Sequence, residues 1–260
     1  MEIVIVPEAQ AIGGLAADAV EALLARRPDA VLGLATGSSP LVVYAELIRR
    51  YHAGDLSFAR ARGFLLDEYV GLPAEHPGRY RSVIRRELED QVDFAPDAIM
   101  GPDGLADDPV AVCAAYERSI TDAGGIDLQL LGVGTDGHLA FNEPGSSLSS
   151  RTRIKTLTQR TRSDNERFFD PPEQVPRHVL TQGLGTILDA RHLVLVATGP
   201  AKARVVQALV EGPLSAFCPA SVLQLHPRAT VLLDDSAASE LQRGDYYRET
   251  YAGKPRWQGL

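Results

Sequence analysis

Three short stretches of this sequence hold residue types that can move protons or grip an anion. The first is Leu131-Gly132-Val133-Gly134-Thr135-Asp136-Gly137-His138-Leu139-Ala140-Phe141-Asn142-Glu143-Pro144, where an apolar run opens through glycines onto an acid, a histidine and a second acid. A carboxylate beside an imidazole orients the ring and stabilises its cation, which suits acid–base work near neutral pH. The second is Leu66-Asp67-Glu68-Tyr69-Val70-Gly71-Leu72, where paired acids close an apolar strand. A carboxylate placed there can serve as a general base once burial has tuned its pKa. Read alone, the pair also fits a solvated turn. The third is Thr36-Gly37-Ser38-Ser39-Pro40, between a strand and a helix. Its hydroxyls, exposed backbone N–H groups and helix dipole suit a phosphate, and its plainer reading is a helix cap. Arg167 and Lys202 could clamp the same anion, although each alone reads as a surface charge.

Several chemistries are excluded by the same residues. Gly132, Gly134 and Gly137 fit the dinucleotide fingerprint G-x-G-x-x-G, which needs a helix starting at the glycines. Here Pro144 and Gly145 break any helix, and the stretch Lys155 to Arg160, where the ribose-binding acid is due, has no acid. The glycines instead let backbone approach a ligand closely. The loop at Thr36 lacks the lysine of a nucleoside-triphosphate loop. The His, Asp and Glu spacing matches no zinc motif, so neither metal nor organic cofactor is expected. A net charge of -8 argues against nucleic acid as a partner, though local basic residues still admit an anionic substrate. No apolar run approaches the roughly 18 residues of a membrane span, and Met1 to Pro7 has no basic leader region. Cys113 and Cys218 match no metal or redox motif and read as small buried apolar residues. A cytoplasmic location is expected from this.

Positioning these residues requires strands and helices in alternation. Strands are expected at Glu2–Val6, Val31–Ala35, Phe64–Leu66, Asp127–Leu131, Ile154–Leu157, His192–Ala197 and Thr230–Leu233. Helices are expected at Glu8–Ala25, Pro40–Tyr51, Val83–Glu89, Val110–Ala123, Pro200–Val210 and near Ser236–Leu241. Ser39 is expected to cap the second helix, with Pro40 at its first position. Such alternation predicts an α/β fold with a mainly parallel sheet covered on both faces, and a ligand beyond the carboxyl ends of the strands. Residues 1–260 read as one domain with no linker, and the segment near 150–180 as an inserted mobile piece.

Taken together, the three stretches resemble the glucosamine-6-phosphate deaminase (isomerising) family, of the glucosamine/galactosamine-6-phosphate isomerases. Ser147-Leu148-Ser149-Ser150-Arg151-Thr152-Arg153-Ile154-Lys155-Thr156-Leu157 and the late pieces Val210-Glu211-Gly212-Pro213 and Leu223-Gln224-Leu225-His226-Pro227 extend the likeness almost to Leu241. The resemblance implies a three-layer sandwich with a Rossmann-like sheet, similar to ribose-5-phosphate isomerase and CoA-transferase folds. It implies conversion of glucosamine 6-phosphate and water to fructose 6-phosphate and ammonia, in N-acetylglucosamine catabolism, without a cofactor. Asp67 would then move a proton between C2 and C1. His138 would open the pyranose ring, helped by Asp136 and Glu143. Thr36, Gly37, Ser38 and Ser39, with Arg167 and Lys202, would hold the phosphate. Ser146, Arg153, Lys155, Thr156 and Tyr246 match the effector residues of family members that are hexamers activated by N-acetylglucosamine 6-phosphate, so a homo-oligomer is implied. Thr135 departs from the family pattern, which often has Asn there. The rival readings are a 6-phosphogluconolactonase, which shares the Asp-Gly-His element, and a non-catalytic sugar-phosphate sensor. Tyr69 after the paired acids, and Phe141-Asn142-Glu143-Pro144 after the histidine, disfavour the lactonase.

Overall fold

The structure is a computed structural model that describes residues 1–166, 169 and 175–260. Its strands are β1 (Glu2–Val6), β2 (Val31–Leu34), β3 (Arg62–Leu65), β4 (Asp67–Tyr69), β5 (Ile99–Met100), β6 (Leu128–Leu131), β7 (Arg153–Thr156), β8 (His178–Thr181), β9 (Leu193–Ala197) and β10 (Ala229–Asp234). The helices are α1 (Ala9–Arg26), α2 (Leu41–Ala53), α3 (Tyr80–Glu87), α4 (Pro109–Asp122), α5 (Gln159–Asn165), α6 (Leu184–Leu188), α7 (Ala203–Val210) and α8 (Gly244–Ala252). Seven strands form one sheet in the order β1-β10-β9-β6-β2-β3-β5, and every pairing in it is parallel.

Strand periodicity builds the layers. Successive side chains point to opposite faces, so Leu193, Leu195 and Ala197 enter one core while Val194 and Val196 enter the other. Likewise Val231 and Leu233 part from Leu232, and Val31 from Leu32. The first core is closed by Tyr116 and Ile120 of α4, Leu184 and Ile187 of α6, and Val205, Val206 and Leu209 of α7. The second is closed by Ile12, Ala16 and Val20 of α1, Val43, Tyr44 and Leu47 of α2, and Ile84 of α3. The three-layer α/β sandwich expected from the sequence is therefore present. Each buried Val, Leu or Ile contributes about 1.5–3 kcal/mol relative to exposure. No helix of the described residues is long and apolar enough to cross a membrane.

Beyond this sheet lies a second one of three antiparallel strands, ordered β4-β8-β7. The sequence reading missed most of it. Asp67 was expected to end a strand. Instead the chain leaves the large sheet at Leu66, and Asp67 begins β4, paired with Thr181. The second helix starts later than expected, with Pro40 rather than Ser39 at its cap and no side chain capping it. The loop turns at Gly37, with φ 95°, and leaves Ser39 beside Gly132. The third helix is Tyr80–Glu87 rather than Val83–Glu89, because the carboxylate of Glu68 receives the Tyr80 and Arg81 amides and starts it earlier. Residues 236–240 form turns rather than a helix: Asp234 accepts the Ala237 amide at 2.7 Å and caps the chain there.

Candidate active site

The strand order reverses between β6 and β2, which are neighbours in space but far apart in sequence. In open parallel sheets such a switch point leaves a crevice outside the carboxyl ends of the strands. A cavity of about 700 Å³ lies there. Its walls include Thr36 and Ser38 after β2, Asp67 on β4, Gly134 and His138 after β6, and Lys202 after β9. The structure thus brings together the three stretches that the sequence singled out.

Asp67 and Glu68 adjoin in sequence but part in space, since neighbouring strand residues face opposite ways. Glu68 turns away and accepts the amides of Tyr69 (2.8 Å), Tyr80 (3.0 Å) and Arg81 (3.0 Å), with Arg79 Nε at 3.6 Å. Asp67 turns into the cavity, is only 5% exposed, and receives no hydrogen bond from the described residues. Burial, with the Glu68 charge added, pushes its carboxyl well above the usual range. A carboxylate so placed is a stronger base than one in water.

His138 owes its position to glycine. A Cβ on Gly134 would lie 2.1 Å from the imidazole Cε1. Gly137 holds φ 90°, which turns the loop back so that its amide reaches Gly134 O at 3.0 Å. His138 Nδ1 then lies 2.6 Å from Asp136 Oδ1, which also accepts the His138 amide at 3.2 Å. Partial burial pushes the Asp136 carboxyl up, but its bonds with His138 and the imidazole charge outweigh this and hold it low. The dyad keeps its imidazole oriented with the remaining nitrogen available. Glu143 stands elsewhere. It is buried, is not among the residues lining the cavity, and accepts Thr158 Oγ1 (2.9 Å), Thr158 N (3.3 Å) and Thr161 Oγ1. It anchors the start of α5, whose Thr161 and Asn165 form part of the cavity wall.

Thr36, Gly37, Ser38 and Ser39 all line the cavity. Lys202 lines it as well, its Nζ donating to Val133 O at 2.7 Å. The loop carrying Lys202 is fixed from β10: Asp234 accepts the Gly199 amide at 2.9 Å. Arg167 lies outside the described residues. Of the expected effector residues, Arg153, Lys155 and Thr156 fall on β7 and Ser146 is buried in the loop before it. Tyr246 is not brought to them, because α8 packs against β1 at the far edge of the large sheet.

The aromatic wall went unread in the sequence. Tyr80 stacks on Phe141 with centroids 5.9 Å apart and planes at 8°, and Tyr69 packs on both. Burial raises the Tyr69 and Tyr80 hydroxyls above the usual phenol range, so both stay protonated. Only the nearness of Tyr69 to Asp67 and of Phe141 to His138 in the chain hinted at this, and nothing local marked Tyr80.

A protein-family model described as glucosamine-6-phosphate isomerases/6-phosphogluconolactonase matches residues 8–232. A protein of Mycolicibacterium smegmatis named glucosamine-6-phosphate deaminase is 67% identical over the whole of both chains. A protein of the same name from Beutenbergia cavernae is 63% identical over the same extent. A solved structure described as a monomeric glucosamine-6-phosphate deaminase superposes with a TM-score of 0.90 at 40% identity, covering 92% of this chain and 100% of that one. The 6-phosphogluconolactonase of Trypanosoma cruzi, at 23% identity and TM-score 0.74 over 93% of this chain and 97% of its own, shares the fold.

Proposed function

The chain belongs to the glucosamine-6-phosphate isomerase/6-phosphogluconolactonase family, and we propose that its cavity carries out the isomerising deamination of glucosamine 6-phosphate to fructose 6-phosphate and ammonia. The observation that carries the reading is the joining of three groups at one switch point: a desolvated carboxylate, an Asp–His dyad and a hydroxyl-rich anion loop facing a lysine. Full-length relatives at 67% and 63% identity bear the deaminase name, whereas the lactonase likeness is one of fold.

The geometry supports the following roles. The Thr36–Ser39 loop and Lys202 hold the phosphate, remote from the reacting carbons, so its binding energy orients the sugar. His138, held by Asp136, moves the proton that opens the pyranose ring. Asp67 takes the proton from C2 and delivers it to C1, which turns the aldose frame into a ketose frame and releases ammonia when water replaces nitrogen at C2. Glu143 serves this reading by holding the α5 wall and the loop after His138 together. The chemistry needs only these side chains, and residues 1–260 act as one domain of cytoplasmic amino-sugar catabolism. A second anionic ligand, an acetylated amino-sugar phosphate, suits β7. Arg153 is half-buried, desolvation lowers its pKa, and no carboxylate pairs with it among the described residues. The Ser146 hydroxyl is buried without a hydrogen-bond partner among the described residues. An assembly of several copies belongs to that effector reading.

The test is to incubate the purified chain with glucosamine 6-phosphate and measure ammonia and fructose 6-phosphate together. Equal release of both is expected. Absence of both, with and without N-acetylglucosamine 6-phosphate, would sink the deaminase reading.

A further inference from the structure

Asp67 and His138 come from different sheets and loops, yet acid–base work on one sugar needs them at a fixed separation. What sets that separation is a buried polar relay behind the cavity. Gln182 follows β8 and is 0% exposed. Its backbone amide donates to Leu66 O at 2.7 Å and its side-chain Nε2 to Leu65 O at 3.0 Å. Both carbonyls belong to the two residues directly before Asp67. The backbone carbonyl of Gln182 in turn accepts Asn142 Nδ2 at 2.7 Å. Asn142 is also 0% exposed, and the same Nδ2 donates to Leu139 O at 3.0 Å, the residue directly after His138. Thr181 runs alongside: its Oγ1 accepts the Phe141 amide at 3.2 Å and donates to Gln182 O at 3.3 Å. Neither Asn142 nor Gln182 is among the residues lining the cavity.

We propose that Asn142 and Gln182 are positioning residues for the deamination, which fix the Asp67 strand and the His138 loop relative to each other without touching substrate. The inference rests on the reading of Asp67 and His138 as the two acid–base groups. Leu65 O before Asp67 is held by the Gln182 side chain and Leu139 O after His138 by the Asn142 side chain, and the two ends are joined through the Gln182 backbone, in a region closed to water. There each bond is strong and its loss is not replaced by solvent. Functional groups must be held to a fraction of an ångström, and a misplacement of about 1 Å can cost about 10²-fold in rate. The two side chains therefore act in series on one distance, Asn142 at the His138 end and Gln182 at the Asp67 end.

The experiment uses Asn142→Leu and Gln182→Met, which keep volume and remove the side-chain bonds, together with the double variant. Turnover of glucosamine 6-phosphate is compared with inhibition by inorganic phosphate, a probe of the Thr36–Ser39 loop and Lys202 alone. Each single variant is expected to lower kcat by about 10–100-fold while phosphate inhibition changes less than twofold. The double variant is expected to lose little beyond the worse single one, since both act on one distance. A residue that serves only folding would lower the melting midpoint and leave kcat per folded molecule unchanged well below it, and that result overturns the proposal. So does a parallel weakening of phosphate inhibition, or fully additive losses. If both variants fail to fold, Thr181→Val carries the same test through the Phe141 amide, with the same split expected. Wild-type turnover with unaffected variants would remove this inference alone. A wild-type chain without turnover would remove it together with the deaminase reading.

Discussion

Two buried aspartates lie just beyond opposite ends of the large parallel sheet, Asp67 as the first residue of the small one, and each is 5% exposed. Asp127 precedes β6 at its amino end, where it accepts Arg27 Nη1 (2.7 Å), Arg191 Nη1 (3.0 Å) and the Val31 amide (2.8 Å). Asp67 follows β3 at its carboxyl end and accepts nothing from the described residues. One carboxylate is fully answered and ties two strand starts together. The other is left unanswered beside a cavity, with its proton held tightly. Burial alone therefore does not separate structure from function. What separates them is whether the fold supplies partners for the charge it buries. In an open parallel sheet the carboxyl end is where the ligand goes, so that is the end where an unpaired charge serves a purpose.

The largest effect expected on the active end is at His138. His138→Gln removes the proposed acid–base group and should lower kcat by about 10²–10⁴-fold, with the melting midpoint near that of the wild type. A steady-state assay paired with a thermal scan checks both halves. At the opposite end, Asp127→Ala should leave kcat unchanged and lower stability by about 1–3 kcal/mol, the cost of a buried amide left without its acceptor. Arg27 and Arg191, with side chains 37% and 54% exposed, return to water and add little. Denaturant unfolding at constant pH reads this. Loss of turnover in a folded Asp127→Ala protein would break the division between the two ends.

A smaller effect belongs to His192, also at the amino end, buried and bonded to Thr230 Oγ1 at 3.0 Å. Burial, with Arg228, His226 and Lys254 nearby, lowers its pKa to about 4. The unfolded chain binds that proton at an ordinary pH of about 6.5, before the folded one does. Stability should therefore fall as pH drops from about 6.5 towards 4, and be unaffected by this group above that window. His192→Gln should flatten the slope of unfolding free energy against pH across it, with turnover at pH 7.5 kept.

Much of this was legible in the sequence, for identifiable reasons. The apolar β-branched runs at Glu2–Val6, Val31–Leu34 and Leu193–Ala197 can only be buried strands, and they place the loops that follow them. The dyad showed in the spacing of Asp136 and His138. Of the small sheet only β7 showed, as the strand expected at Ile154–Leu157. The strand His178–Thr181 is four residues long, and β4 carries the acids Asp67 and Glu68, so neither has a readable period. The helix at Gln159–Asn165 is wholly polar, and Gly244–Ala252 buries no side chain, so neither presents an apolar stripe. The anchoring of Glu143 by Thr158 and Thr161, and the bridging by Gln182, depend on approaches between distant segments that no local spacing encodes.

The central claim is that the fold leaves Asp67 unpaired because the reaction needs its proton affinity. Asp67→Asn tests it in one preparation, measured for turnover and for melting midpoint at pH 8. A raised carboxyl pKa means that ionising Asp67 costs the folded state free energy above the ordinary carboxylate range. The account predicts kcat lowered by about 10²–10⁴-fold and a midpoint at or above that of the wild type, with the midpoints converging near pH 3. Near-normal turnover in Asp67→Asn, or a midpoint well below wild type at pH 8, would contradict it.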